Sequence, residues 1–308
     1  LSNLHVTSGR WKLGFALALT TACLWGSLPI ALKSLLTDMQ AQTLVWYRFT
    51  VAAVLLGLGL AWRRQLIPAR PRTRTVLWLL VIAAVCFAAN NVIFVMGLGY
   101  ITPTAGQVVI QLAPMMLLFG GVMVFKESFG GAQIVGLLLL LGGMLLFFHE
   151  RLGDLFGNFT GYAFGVLLIV ISAIVWAGYA MAQKQLLVNY GSPTLMWMIY
   201  AAGAVLLLPL ATPSQVYALD GTQLAILLYC SILTILGYGA FAEALAHWEA
   251  TRVSAVVAIT PLITWTLNRV AAALLPGYAQ PEHLSPWSIV GAGMVTLGCA
   301  FAALSRRR

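Results

Sequence analysis

The chain is written almost entirely in apolar runs of twenty or so residues, interrupted by short polar, proline or glycine segments. A bilayer's hydrocarbon core is about 30 Å thick and a helix rises about 1.5 Å per residue, so about 20 apolar residues make one crossing. A succession of such runs can only be solvated by lipid and by one another. Composition agrees: of 308 residues, 61% are hydrophobic and 8% charged, against roughly 45–50% apolar and roughly 25% charged in soluble domains. The longest polar stretch, around Arg63 to Thr75, has only the length of a loop, which leaves no segment for a soluble catalytic or nucleotide-binding domain.

The pattern predicts an all-α integral membrane protein with helices over roughly 13–36, 41–62, 75–99, 103–126, 130–149, 159–188, 193–211, 221–247, 251–275 and 286–304, ten in all. Pro68, Pro71, Thr102-Pro103, Gly130-Gly131, Ser192-Pro193 and Thr212-Pro213 punctuate them. The first run, Leu13 to Leu32, exceeds a signal-peptide core and has no small-residue cleavage pattern after it, so it reads as a true span. Of 17 Lys and Arg residues, 13 fall on one side if the N-terminus is cytoplasmic, and only Lys33 and Arg151 on the other, with Arg48 and Arg269 inside helices. Basic residues are retained on the cytoplasmic side, so both termini, the tails 1–12 and 305–308, are expected there. The net charge of +9 is thus a topology signal and implies no nucleic-acid partner. The four cysteines lie inside apolar runs without a CxxC pair, as buried thiols and not as disulfides or metal ligands.

The chain also repeats itself. A shift of 151 residues gives 12 identities over the 32 positions from Trp25 to Leu56, including Trp25 on Trp176, Lys33 on Lys184 and Trp46 on Trp197. A shift of 147 places Thr104 on Thr251 and Pro114 on Pro261, and one of 155 places Ile134-Val135-Gly136 on Ile289-Val290-Gly291 and Glu127 on Glu282. The halves are residues 13–150 and 159–304, each of five helices. Five is odd, so the second copy enters from the opposite face, which is the inverted repeat of several carrier folds.

These residues resemble the drug/metabolite transporter superfamily, in particular the ten-helix carriers built from two EamA repeats. The likeness is carried by Leu24-Trp25-Gly26-Ser27 and Val175-Trp176-Ala177-Gly178, by Tyr47-Arg48-Phe49, by Gly97-Leu98-Gly99-Tyr100 through Gln111-Leu112-Ala113-Pro114 to Lys126-Glu127, and by Ala244-Leu245-Ala246-His247 through Pro261. It covers about residues 10–305. Within the superfamily the chain is similar to the YddG exporters of aromatic amino acids, a likeness that implies the bacterial inner membrane, small-molecule export and alternating access. In place of Arg48 the second half carries Ile199, so the halves need not play equal roles.

Polar groups deep in a bilayer are costly and usually face the bundle interior or a water-filled cavity. Asn90 and Asn91 lie about 15 residues, roughly 23 Å, into the third helix. Gln107, Gln111 and Pro114 share a face by their i, i+4, i+7 spacing, and the shift of 147 carries that face to Pro261, with Trp265 and Asn268 beyond. Such amides either line a cavity or bond helices together. Trp25 and Trp176 are too deep for an interfacial belt, and with Tyr179 and Tyr238 they either cradle a ring or fill a gap between helices. Arg48, with Tyr47 beside it, either meets a substrate carboxylate or snorkels to the interface. Glu243 and His247, at i and i+4, form a gate or proton pair, or an exposed helix pair, and Pro114 and Pro261 are candidate hinges.

No carboxylate sits at mid-bilayer, which disfavours proton exchange against cationic drugs and favours a neutral or zwitterionic substrate. Phosphate-loop, HExxH and GxSxG motifs are all missing, so neither ATP hydrolysis nor enzymatic hydrolysis has candidates, and no cofactor or metal is expected. The resulting expectation is a secondary carrier exporting small metabolites, aromatic amino acids foremost, with lipid as its other partner and no obligate protein partner. The same fold could instead export nucleobase-like or cationic compounds, or the chain could form a passive channel.

Overall fold

The computed structural model describes residues 9–64, 73–125, 130–157, 160–248 and 250–304, and these are helical throughout apart from turns and one isolated bridge between Pro276 and Ala279. The helices are α1 (Trp11–Leu35), α2 (Ala41–Trp62), α3 (Arg74–Leu98), α4 (Pro103–Ile110), α5 (Leu112–Phe125), α6 (Gly131–Phe147), α7 (Leu152–Phe156), α8 (Gly161–Leu186), α9 (Ser192–Leu207), α10 (Gly221–His247), α11 (Ala250–Val257), α12 (Thr260–Leu274) and α13 (Pro286–Leu304). Among the described residues eight segments are long and apolar enough to cross a membrane, or nine if α6 and the His149–Leu155 segment, bent from it by 59°, make one span. Starts are set by local chemistry: the side chains of Thr73, Thr102, Thr160 and Asp220 accept from main-chain N–H groups of the first turn, answering donors the helix itself cannot. The outward faces stay apolar, with Leu58, Val205 and Leu297 among the exposed side chains, as a protein dissolved in lipid requires.

Two expected spans are broken. Residues 103–126 were to form one rod, but α4 stops at Ile110 and α5 starts at Leu112; residues 251–275 divide likewise between α11, ending at Val257, and α12, starting at Thr260. Proline explains both corrections. Pro114 and Pro261 lack an N–H, and each ring presses on the carbonyl four residues back, which is Ile110 in one case and Val257 in the other. Each first rod ends on that residue. Lys126, and Glu127 with it, lie outside the described residues.

Carbonyls at such breaks in an apolar surround need donors, and side chains answer several of those at and beside the two breaks. Gln111 Nε2 donates to Ala258 O at 2.8 Å, joining the two breaks, while Gln111 O receives the Cys299 thiol at 3.7 Å and Val257 O receives the Thr260 hydroxyl. Pro29 does to α1 what the other prolines do to their rods. It leaves Trp25 O without its intrahelical donor, and Gln107 Nε2 fills the place at 2.8 Å. Thr264 Oγ1 adds a bond to the neighbouring Gly26 O at 2.9 Å.

The most extensive packing is α6 on α13, α3 on α8, α1 on α10 and α2 on α9, followed by α5 on α8, α1 on α12, α2 on α10, α11 on α13 and α3 on α9. Exchanging each helix for the one that repeats its sequence returns each of these pairs except α11 on α13. The closest approach is α6 on α13. A Cβ added to Gly143 would stand 2.8 Å from Gly291 O, and one added to Gly136 would stand 2.8 Å from Gly298 O, so only glycine admits this contact.

Replacing Gly291 by alanine, whose Cβ would meet the Phe147 amide nitrogen, should destabilise the protein by about 1–3 kcal/mol. Gly293, with nothing within 4 Å, should tolerate alanine or gain up to about 1 kcal/mol of helix propensity. Thermal denaturation in detergent compares the two. By the same measurement Gln107→Ala should cost about 1–3 kcal/mol through the orphaned Trp25 carbonyl, and most of that loss should vanish in a Pro29→Ala background, where the helix regains its own donor.

Candidate functional site

The sequence leaves Arg48 between two fates, and the structure places it inside. Its side chain is 2% exposed and crosses from α2 to the interior, where Nε donates to Thr234 Oγ1 of α10 at 3.1 Å and Nη1 to Asn91 Oδ1 of α3 at 3.4 Å. Both acceptors are oriented by further bonds. The Thr234 hydroxyl donates to Cys230 O at 2.9 Å, and Asn91 Nδ2 donates to Phe87 O at 3.0 Å, which turns its oxygen toward the guanidinium. Among the described residues no Asp or Glu lies within ion-pair distance of Arg48. Two of five N–H donors are thus used on neutral oxygens, and the positive charge is buried without an anion, an arrangement that costs several kcal/mol unless an anion arrives.

An aromatic band surrounds this cation. Phe49 stacks on Phe87 at 5.2 Å and 12°, Phe87 meets Tyr179 at 4.6 Å and Tyr238 at 5.7 Å, and Tyr200 meets Phe49 at 5.8 Å. Trp25 packs on Tyr238 and on Phe241, each at 5.4 Å. The Trp176 indole lies beside the Tyr238 hydroxyl, and Tyr200 Oη donates to Thr234 O at 3.0 Å, beside Arg48. Gly237 lets Trp25 in, since a Cβ there would stand 2.6 Å from its Nε1. The rings fill their own enclosure and touch one another. Arg48, Asn91, Trp25, Trp176, Tyr179 and Tyr238 of the sequence-derived set are therefore brought together by α1, α2, α3, α8 and α10.

The other expected residues lie elsewhere. Asn90 donates to Ser172 O and Oγ at 2.9 and 2.7 Å and ties α3 to α8, while Gln107 and Gln111 serve the carbonyls described above. Asn268 Nδ2 donates to Gln280 O at 3.0 Å. The Trp265 ring lies under Arg269 at 5.5 Å, and its buried indole N–H has no partner among the described residues. Tyr47 points away from its neighbour Arg48 and donates to Pro213 O at 2.8 Å. Glu243 and His247 meet at 3.1 Å at the end of α10, and Pro114 and Pro261 occupy first turns after the two breaks.

Phe49, Phe87, Tyr200 and Phe241 were passed over in the sequence, because an apolar ring among apolar residues carries no signal of depth or partner. One signal was available: Phe49 and Tyr200 are equivalent under the shift of 151 and follow Arg48 and its counterpart Ile199. A separate apolar cavity of about 350 Å³, lined by Phe15, Leu19, Trp248, Arg252, Val256 and Ile259 among others, lies toward the start of α1. Leu19 is about one and a half turns from Trp25.

Against known proteins, the model of the EamA-like transporter family matches residues 12–149 and 163–304. A Haemophilus influenzae protein named only as an uncharacterized transporter is 40% identical over 296 residues, covering 96% of each chain. The Escherichia coli K12 protein named uncharacterized inner membrane transporter YhbE is 38% identical, over 96% of this chain and 92% of its own. More distantly, an Escherichia coli K12 protein named probable amino-acid metabolite efflux pump is 22% identical over 92% of both chains. A solved structure at 17% identity shares the fold with a TM-score of 0.64, over 97% of this chain and 98% of its own. With both halves covered by one family model and relatives near 40% identity along almost the whole length, the chain belongs to the EamA-like transporter family and is a multi-pass membrane transporter.

Proposed function

We propose that the protein is a secondary carrier that exports small carboxylates bearing a flat ring, aromatic amino acids foremost, from the cytoplasm across a bacterial inner membrane. The observation that carries this reading is the buried Arg48 guanidinium, with no carboxylate near it among the described residues, at the edge of a band of six or more rings. A substrate carboxylate would complete the charge, and its ring would slide between Trp25, Phe87, Trp176, Tyr179 and Tyr238. Charge-assisted, bidentate contact is the bond a guanidinium makes best. The name of the distant amino-acid metabolite efflux relative is compatible with such a substrate, and that of the YhbE relative with the inner membrane.

The carrier mechanism we infer rests on an inverted pair of five-helix halves, residues 13–150 and 159–304, giving ten crossings and two cytoplasmic termini. Three features support it. The four most extensive helix pairs map onto one another when the halves are exchanged. Gln111 bonds to Ala258, its own counterpart under the shift of 147. Gly136 and Gly143 meet Gly298 and Gly291 in reciprocal order, as residues around a two-fold axis do. Related halves of opposite orientation possess two similar arrangements open to opposite sides. Movement between them exposes the Arg48 site alternately and requires a gradient, with no ATP.

Liposomes containing only this protein should show saturable, exchange-stimulated counterflow of labelled phenylalanine or tryptophan. Free acids should compete, and their amides should compete at least about tenfold less well, the worth of one charge-assisted bond. Arg48→Gln, which keeps a donor for Thr234, should raise the KM by a similar factor in protein that still folds. Equal competition by acids and amides, with an unchanged KM in Arg48→Gln, would refute the site; unsaturable flux without counterflow would indicate a channel.

A further inference from the structure

The strap between α12 and α13, residues 275–285, is held at three points. Tyr278 Oη donates to Asp220 Oδ2 at 2.7 Å, Asn268 Nδ2 donates to Gln280 O at 3.0 Å, and the Thr104 main-chain N–H donates to Glu282 Oε1 at 3.2 Å. Only the third attachment takes a carboxyl group from a loop into the interior. Glu282 is 9% exposed and sits on the first turn of α4, beside the hydroxyls of Thr102 and Thr104. Its Oε2 and Thr104 Oγ1 are both buried without a hydrogen-bond partner among the described residues. A threonine hydroxyl donates to a carboxylate and accepts from a carboxylic acid, so a small rotation of Thr104 serves the group in either protonation state.

The groups facing this carboxyl come from several elements. Lys33 of α1 is the nearby cation, but its ammonium is committed to the carbonyls of Leu98 and Ile101 at the end of α3, at 2.8 Å each. Tyr162 of α8 faces Glu282 as well, with Arg151 over its ring at 5.1 Å and Asp154 near it. His283 is the next residue along the strap.

We propose that Glu282, seated between Thr102, Thr104 and Lys33, is a proton-binding site that couples closure of this end of the transporter to pH. The seat lies at the start of α4, whose other end runs into the break at Gln111, so seating and release of the strap act on an element that reaches the centre. Burial raises the Glu282 carboxyl above its ordinary value, and the threonines and Lys33 oppose that rise without cancelling it. Lifting the strap returns the carboxyl to water and to ordinary acidity. The seated form therefore binds the proton more tightly than the lifted one. Its advantage is complete below the ordinary carboxylate range and is lost as pH rises through the raised value. Acid at this end holds the strap down, and an opening at a pH between the ordinary and the raised value releases the proton.

Infrared difference spectroscopy of the full-length protein in lipid reads the site without any substrate, so its result stands apart from the transport assay. A protonated-carboxyl band should titrate above the range of exposed carboxylates, vanish in Glu282→Gln and move to higher pH in Lys33→Met. In parallel, hydrogen exchange of the strap, corrected for intrinsic pH dependence, should accelerate with rising pH in the native chain and stay slow in Glu282→Gln. If Glu282→Gln fails to fold, Glu282→Asp should shift the same band by shortening the reach to Thr104. A band that persists in Glu282→Gln, one that titrates with exposed acids, one that Glu282→Asp leaves unmoved, or strap exchange with a single pH profile in both proteins overturns the proposal.

Discussion

In lipid no water satisfies a main-chain carbonyl, and the structure turns on how this chain answers the carbonyls that its prolines release. Pro29, Pro114 and Pro261 each remove an intrahelical donor; Gln107 replaces it at Trp25 O and the Thr260 hydroxyl at Val257 O, while Gln111 and Cys299 bond the neighbouring carbonyls Ala258 O and Gln111 O from other helices. The same residues that break helices thus create the ties between them. The breaks sit at matching positions of the two sequence repeats.

Upon this near-symmetric frame the charge is one-sided. Arg48 has Ile199 as its counterpart, and Asn91 has Tyr238. One half therefore presents the guanidinium and its amide partner, the other presents the Thr234 hydroxyl, and both contribute rings, Trp25, Phe49 and Phe87 from the first and Tyr179, Tyr200 and Tyr238 from the second. Glycine contributes in a different way. The α6 and α13 contact through Gly136, Gly143, Gly291 and Gly298 is too tight for any Cβ.

How much of this was legible in the sequence depends on the kind of signal. Helix limits were readable to within a few residues because Thr, Asp, Pro and Gly act locally: α1 runs from Trp11 to Leu35 where 13–36 was expected, and α13 from Pro286 to Leu304 where 286–304 was expected. The breaks were missed although both prolines were noticed, since apolar periodicity runs through them without interruption. Polar residues at depth announced themselves, but their partners did not. Asn90, Gln107 and Gln111 look alike in the sequence to Asn91, and only the fold separates those bonded to carbonyls from the one turned toward Arg48. Glu282 read as a loop acid, because nothing in a sequence says that a loop folds back onto the start of a distant helix.

The central claim is that the two halves cross the membrane in opposite directions. Thr37, in the turn after α1, and Val188, its counterpart 151 residues later, are both exposed. With the native cysteines replaced, a single cysteine at each position can be tested with a membrane-impermeant thiol reagent in sealed, oriented vesicles. The account predicts labelling of Thr37→Cys from the outside only and of Val188→Cys from the inside only; labelling of both from the same side would contradict it.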